Sequence, residues 1–237
     1  MTILVDNQQI NLILLRARGR RMKMSFDKDK NLVVQNLSGV WDKITEDFVQ
    51  KNIAWIQKNY QKTEVKSGKR EHFLQNLATH IPYKGQEFPI YYEVSHKRAF
   101  QIDLEKGIVI SHLPNDDEKV KNYVISRAVK RLAEHYLIPK TLHWAKITQH
   151  DIRNVVVKGQ KTRWGSCSTK HNINLNWHLI FLREELIDYL LVHELMHLHE
   201  MNHSAKFWQW VERYCPNYEK LDKELNENGY LIGILDS

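Results

Sequence analysis

Residues Val192–His203 read VHELMHLHEMNH, with four histidines and two glutamates at the end of an otherwise apolar helical run. His193 and His197 are four apart. Positions i and i+4 share one face of a helix, so both imidazoles can reach a single ion. Glu194 completes the H-E-x-x-H pattern, in which the glutamate takes a proton from a metal-bound water and is not itself a ligand. In a chain of 237 residues with 13 histidines, chance supplies such a pattern roughly 0.05 times. The alternative is a pair of surface histidines on a helix. The residues ahead of the motif argue against it. Leu186, Ile187, Leu190, Leu191 and Val192 mark a buried helix that ends at a cleft. Uncompensated polar groups are costly there, and a metal compensates them.

A catalytic zinc needs a third protein ligand and one position left for water. His203 is the candidate, six residues after His197. In a continuing helix six residues turn about 600°, which puts His203 on the wrong face. The helix must therefore stop between His199 and Met201 and the chain fold back. Asn202 suits such a turn, and Ser204 or Asn202 can cap the next helix. His199 lies about 200° around from His197 and reads as a surface histidine. Glu200 would need a distortion to ligate, and Glu212 on the following helix is the alternative third ligand. Neutral imidazoles at a tetrahedral site suit zinc best, one ion per chain.

Upstream, INLNWHLIFL alternates Ile173, Leu175, Trp177, Leu179 and Phe181 against polar residues, which predicts a strand with one buried face. QKTRWGSCSTKHN before it is a turn-rich connection. Arg163 there could meet an anionic group and Trp164 could wall a pocket, although core packing also explains Trp164. Downstream, FWQW at 207–210 reads as an aromatic anchor under the turn that carries His203. Residues 1–40 read as strands around the basic stretch RARGRRMKM, a solvated strand edge or an anion-facing patch. Residues 42–63 form an amphipathic helix, and EVKSGKREH after it reads as a polar linker. Further strands follow, then a helix opened by acidic residues, with Pro139 expected to end or kink it. No internal repeat is visible. The expected organisation is a β-rich region with one helix over 1–115 and a hydrolase core over 116–237.

The net charge is +7, which favours an anionic partner such as a nucleotide or nucleic acid without naming one. Apolar runs fall far short of the ~20 residues of a membrane helix, and no signal peptide is recognisable. Two cysteines, Cys167 and Cys215, make no disulfide framework, so a reducing cytoplasm and two free thiols are expected.

KTRWGSCS, INLNWHLIFL and EELIDYLLVHELMHLHEMNHSAKFW together resemble the YgjP-like family of predicted zinc-dependent metallopeptidases within the wider zincin group. The resemblance is strongest over 160–217 and extends loosely over most of the chain. It implies His193, His197 and His203 as ligands and Glu194 as the catalytic acid/base. It also implies an α+β fold, a β-rich N-terminal part followed by a zincin-like helix–sheet core with HExxH on a helix. The spacing is shared with metzincins, but a glycine there is replaced by Glu200, so their turn is not carried over. The leading expectation is a metallopeptidase acting on peptide or protein substrates. One alternative is a metal-dependent nucleoside triphosphate hydrolase, with Arg163, Lys161 and RGRR on the phosphates; no P-loop and no Mg²⁺-type carboxylate cluster support it. Another is a binding module with structural zinc. Three histidines and a free glutamate leave an open position that a structural site would close.

Overall fold

The computed structural model describes residues 1–235 except 6, 28, 95, 97–98, 104 and 113–116. It divides into two compact units, Met1–His72 and Phe73–Ser237. The expected boundary at 115/116 lies outside the described residues. Among the described residues the fold is a mixed α+β arrangement of three sheets and six α-helices.

The first unit holds strands β1 (Thr2–Val5), β2 (Gln8–Arg16), β3 (Lys23–Phe26) and β4 (Leu32–Asn36) in the order β1-β2-β4-β3. β2 and β4 are parallel, and the outer pairs are antiparallel. Val5, Ile10, Leu12, Leu32 and Val34 point inward on alternate positions and meet Val49 and Ile56. Those two come from α1 (Lys43–Lys51) and α2 (Ile53–Asn76). Asp42 caps α1 by accepting from the Thr45 backbone N–H at 2.7 Å. The expected linker EVKSGKREH is helical, as part of α2. Its Lys, Glu and Arg are good helix formers, and one glycine, Gly68, costs only about 1 kcal/mol. Its polarity reflects an exposed helix, not a loop.

The second unit opens with the same plan. Strands β5 (His80–Tyr83), β6 (Gln86–Val94), β7 (Ala99–Asp103) and β8 (Gly107–His112) run in the order β5-β6-β8-β7. Again the central pair is parallel and the outer pairs antiparallel. Each sheet starts with a four-residue strand and a nine-residue strand separated by two positions in the sequence. Lys84 and Gly85 take φ of 57° and 82°, the geometry of a type I′ hairpin turn. The repeat is invisible in the sequence because only Ile3/Ile81 and Gln8/Gln86 are identical between 2–16 and 80–94. Alternation and turn chemistry suffice to build the same sheet twice.

Helix α3 (Glu118–Ile147) follows and contains Pro139 without ending there. Leu132, Ala133, Leu137, Thr141 and Ala145 on both sides of the proline are buried, and that packing holds the helix together across the lost hydrogen bond. The third sheet, β10-β11-β9, consists of β9 (Asn154–Lys158), β10 (Gly165–Cys167) and β11 (Asn172–Asn176). The strand expected over 173–182 stops at Asn176, and Trp177–Phe181 form a 3-10 helix. The Asn176 side chain terminates the strand. It accepts from the His178 backbone N–H at 3.3 Å and donates to the carbonyls of Gln160 and Arg163. Trp177–Leu182 are all buried, so the apparent alternation was a run without an exposed face.

Three helices complete the unit: α4 (Glu184–Met196), α5 (Ala205–Tyr214) and α6 (Tyr218–Glu227). α4 is clamped from two sides. Glu184 accepts from Tyr136 Oη and Lys140 Nζ of α3, both at 2.6 Å. Lys140 also reaches Asp188 at 2.9 Å. Arg183 makes a bidentate pair with Glu224 of α6, both bonds 2.7 Å. No helix of the described residues is long and apolar enough to cross a membrane.

Candidate metal centre

α4 delivers His193 and Glu194 in its last turn and ends on His197 as its C-cap. The stop comes slightly earlier than the sequence suggested. Leu198 and His199 close i→i+3 bonds back to Leu195 and Met196 at 2.9 and 3.0 Å, which tightens the helix end. The chain then reverses. Asn202 Oδ1 accepts from the Ser204 N–H at 2.9 Å, and Ser204 Oγ accepts from the Phe207 N–H to cap α5. His203 sits on this short return.

The result is convergence. One ring nitrogen from each of His193, His197 and His203 lies within 4.8 Å of the other two. Among the described residues this is the group of three or more His, Cys, Asp or Glu that could hold a metal. His199 is outside it, stacked on Trp210 at 4.2 Å. Glu200 is engaged with Asn202 at 2.7 Å, and Glu212 is not a member. Phe207, fully buried, touches all three imidazoles, stacked on His197 at 4.6 Å and edge-on to His193 and His203. Trp208 stacks on His203 at 5.7 Å and on Tyr218 at 5.0 Å. Phe207 and Trp208, the first half of the FWQW segment, form the floor of the cluster.

The donor chemistry fits a cation. His197 Nδ1 donates to the Glu200 carbonyl at 3.1 Å, which leaves its Nε2 a bare lone pair. The Tyr189 hydroxyl donates to Asp222 at 2.8 Å and lies 3.5 Å from His193 Nδ1. Its lone pair therefore favours a proton on Nδ1 and none on Nε2. His193 Nε2 and His203 Nε2 approach to 3.0 Å, close to the ~3.3 Å between two nitrogens on one tetrahedral zinc. Burial and the neighbouring imidazoles push His193 down to about 3, and burial lowers His197 as well. Both rings are neutral, as metal ligands must be.

Glu194 is 5% exposed, and that burial lifts its carboxyl to about 8 against the opposing pull of Arg163. A Cβ on Gly165 would stand 2.5 Å from Glu194 Oε1, so β10 runs directly against this carboxyl. Beside them opens a cavity of about 400 Å³, lined by Arg163, Trp164, His193, Glu194 and Asp222 among others. Trp164 is both wall and core, at 8% exposure. Cys167, half-buried, has its thiol pushed up to about 11 by burial and then by Glu194, which keeps it protonated at neutral pH. Both cysteines are free. Sequence reasoning missed Tyr189 and Asp222. Tyr189 precedes His193 by four residues and so shares its helix face, a signal that could have been used. Asp222 arrives from α6 with no such signal.

A family model described as YgjP-like, metallopeptidase domain, matches residues 20–228. Among solved structures the chain is similar to the metallopeptidase zymogen of Pyrococcus abyssi abylysin. That match has 26% identity, covers 38% of this chain and 90% of that one, and has a TM-score of 0.35. It is also similar to the metallopeptidase zymogen of Methanocaldococcus jannaschii jannalysin, with 23% identity, 39% and 92% coverage and a TM-score of 0.33. No curated protein matches.

Proposed function

The chain belongs to the YgjP-like metallopeptidase family, and from that premise we propose a zinc-dependent peptidase with His193, His197 and His203 as ligands and Glu194 as acid/base. The observation that supports this reading is the convergence of three imidazoles beside a buried carboxyl. When bound, zinc supplies Lewis acidity that polarises a carbonyl and makes water acidic near neutral pH. Glu194 takes the proton of the attacking water and passes it to the leaving amine. That role needs the ionised carboxylate, which a cation held by the three histidines would favour. β10 pairs with one neighbour in its sheet, and its other edge offers main-chain bonds to an extended peptide. Arg163 and Trp164 border the substrate in the cavity.

The test is a side-by-side assay of zinc-loaded wild type, Glu194→Gln and Arg163→Ala on a peptide library and on nucleoside triphosphates. Glu194-dependent cleavage of unfolded polypeptides, slowed only modestly in Arg163→Ala, is expected. Glu194-dependent phosphate release that vanishes in Arg163→Ala, without peptide cleavage, would overturn the reading in favour of triphosphate hydrolysis.

Gly165→Ala isolates the contact between strand and carboxyl. The added methyl must displace Glu194 or β10, and misplacing a catalytic group by about 1 Å costs on the order of 10²-fold. The variant should bind zinc as the parent does and lose cleavage to that degree. Unchanged kcat/KM would show that Glu194 does not work from this position.

Glu194 also sets a pH dependence. Its carboxyl holds its proton to about 8 in the folded, metal-free protein but only to about 4.3 in an unfolded chain. Folding takes up a proton between those values. Metal-free wild type should therefore lose stability as pH rises through that window. Glu194→Gln has no such proton to hold. Denaturant unfolding of both metal-free proteins should show the variant gaining on wild type between about pH 5 and 8. A gap that does not move with pH would mean that the carboxylate ionises freely in its pocket.

A further inference from the structure

The net charge is unevenly placed. Met1–His72 carries 14 Lys and Arg against 8 Asp and Glu, six of the chain's seven net positive charges. Two elements of that unit present them. The first is the connection from β2 to β3. There Arg16, Arg18, Arg20, Arg21 and Lys23, all exposed, surround a surface concavity of about 840 Å³. No carboxylate forms an ion pair with any of the five among the described residues. The base of this loop is held firmly. The Ala17 N–H donates to the Asn36 carbonyl at 2.6 Å. Asn36, 2% exposed, donates to the Val40 carbonyl and Thr45 Oγ1. Gly39, at φ 74°, lies so close to Arg16 that a Cβ would meet the Arg16 Cβ at 3.2 Å.

The second element is α2, on which Lys58, Lys62 and Lys66 are exposed. They recur every four residues, about 6 Å apart along one helix face. Like charges at that spacing weaken a helix, and no ion pair among the described residues offsets them. Among the described residues, none of these eight cations is shown in an ion pair.

We propose that Met1–His72 binds the phosphate backbone of double-stranded nucleic acid through the Arg16–Lys23 loop and the Lys58–Lys62–Lys66 stripe. A duplex carries one negative charge per ~1.7 Å of its axis, which matches a surface of closely spaced, unpaired cations. The other lining residues of the concavity are Leu15, Ala17, Gly19 and Gln35. They include no aromatic ring on which single-stranded bases would stack. They include one large apolar side chain, too little for insertion into a bilayer. Contacts of this kind position a duplex without reading its sequence.

The experiment is fluorescence anisotropy of the full-length protein with labelled duplexes of about 20 base pairs, one DNA and one RNA, as salt rises from about 50 to 200 mM. It needs neither zinc nor turnover, so its outcome is independent of the peptidase reading. Wild type should bind a duplex at low salt and weaken steeply with salt. Arg18→Gln/Arg20→Gln/Arg21→Gln and Lys58→Gln/Lys62→Gln/Lys66→Gln should each weaken binding about 10-fold or more. Each should also flatten the log–log salt slope by about 2.7, or 0.9 per lost contact. All six substitutions are at exposed positions, and thermal melts should match wild type. Lys130→Gln/Arg131→Gln on α3 removes two exposed cations from the other unit and should change binding less than about twofold. The proposal is overturned by no duplex binding at low salt or by either triple variant binding as wild type does. It is equally overturned by an equal loss in the α3 control, or by stronger binding to vesicles rich in phosphatidylserine or to single-stranded oligonucleotide than to duplex.

Discussion

Glu194→Gln is expected to bind zinc as wild type does and to lose peptide cleavage by about 10²–10⁴-fold, the range that a positioned acid/base contributes. The geometry makes this substitution unusually clean. Glu194 is buried against Gly165, and glutamine matches it in shape, so nothing needs to move. The carboxyl is already protonated over much of the neutral range in the metal-free protein, so a neutral amide strands no partner charge. None of the converging nitrogens is lost, because they belong to His193, His197 and His203. What disappears is the capacity to accept a proton and return it. Metal content by mass spectrometry together with kcat/KM on a library-derived peptide separates the two properties. Cleavage within a few-fold of wild type would assign the acid/base role elsewhere.

The parts of the molecule readable from sequence are those in which local chemistry and global packing agree. The apolar run Leu186–Val192 and the i, i+4 histidines specify α4 and its polar end together. The wrong-face geometry of His203 then demands a reversal, which Asn202 and Ser204 supply through their side chains. Where the reading failed, a local pattern had two physical solutions. Ile173 to Phe181 alternates as a strand should, but a strand needs one wet face. Trp177–Leu182 are buried all round, and Asn176 ends the ladder by a side-chain bond that composition does not announce. Residues 64–72 are polar enough for a linker, yet their helix propensity extends α2 through them. The paired four-stranded sheets escape notice because a sheet of this order needs inward alternation and a turn, and Ile10 and Leu12 serve as well as Phe88 and Ile90. The site was legible to the depth of its ligand candidates. The groups that orient them, Tyr189 and Asp222, depend on how α6 packs on α4, which no spacing encodes.

Removing a single ligand should be the most severe change that the fold tolerates. A structural-strength zinc site gains about 10–16 kcal/mol from its ligands together. Losing one of three histidines should therefore weaken zinc binding by on the order of 10³-fold or more. His193→Ala and His197→Ala also remove rings that pack on Phe207, so their loss of metal mixes with loss of core. His203 also touches Phe207 and Trp208, but it is exposed on the return loop, so His203→Ala should melt close to the metal-free wild type and still fail to hold zinc in competition with a chelator of known affinity. Tyr189→Phe leaves all three ligands but frees His193 Nδ1 from its hydroxyl partner, and a loss of about 10–100-fold is expected. Glu212→Ala, at the alternative third position, should bind zinc as wild type does. The ordering tests the site more sharply than any one variant. Wild-type affinity in His203→Ala, coupled with loss in Glu212→Ala, would move the third ligand onto α5. That outcome would require a rearrangement of the Met201–Ser204 turn on metal binding, since the imidazole nitrogens of His203 and His193 already face each other at 3.0 Å.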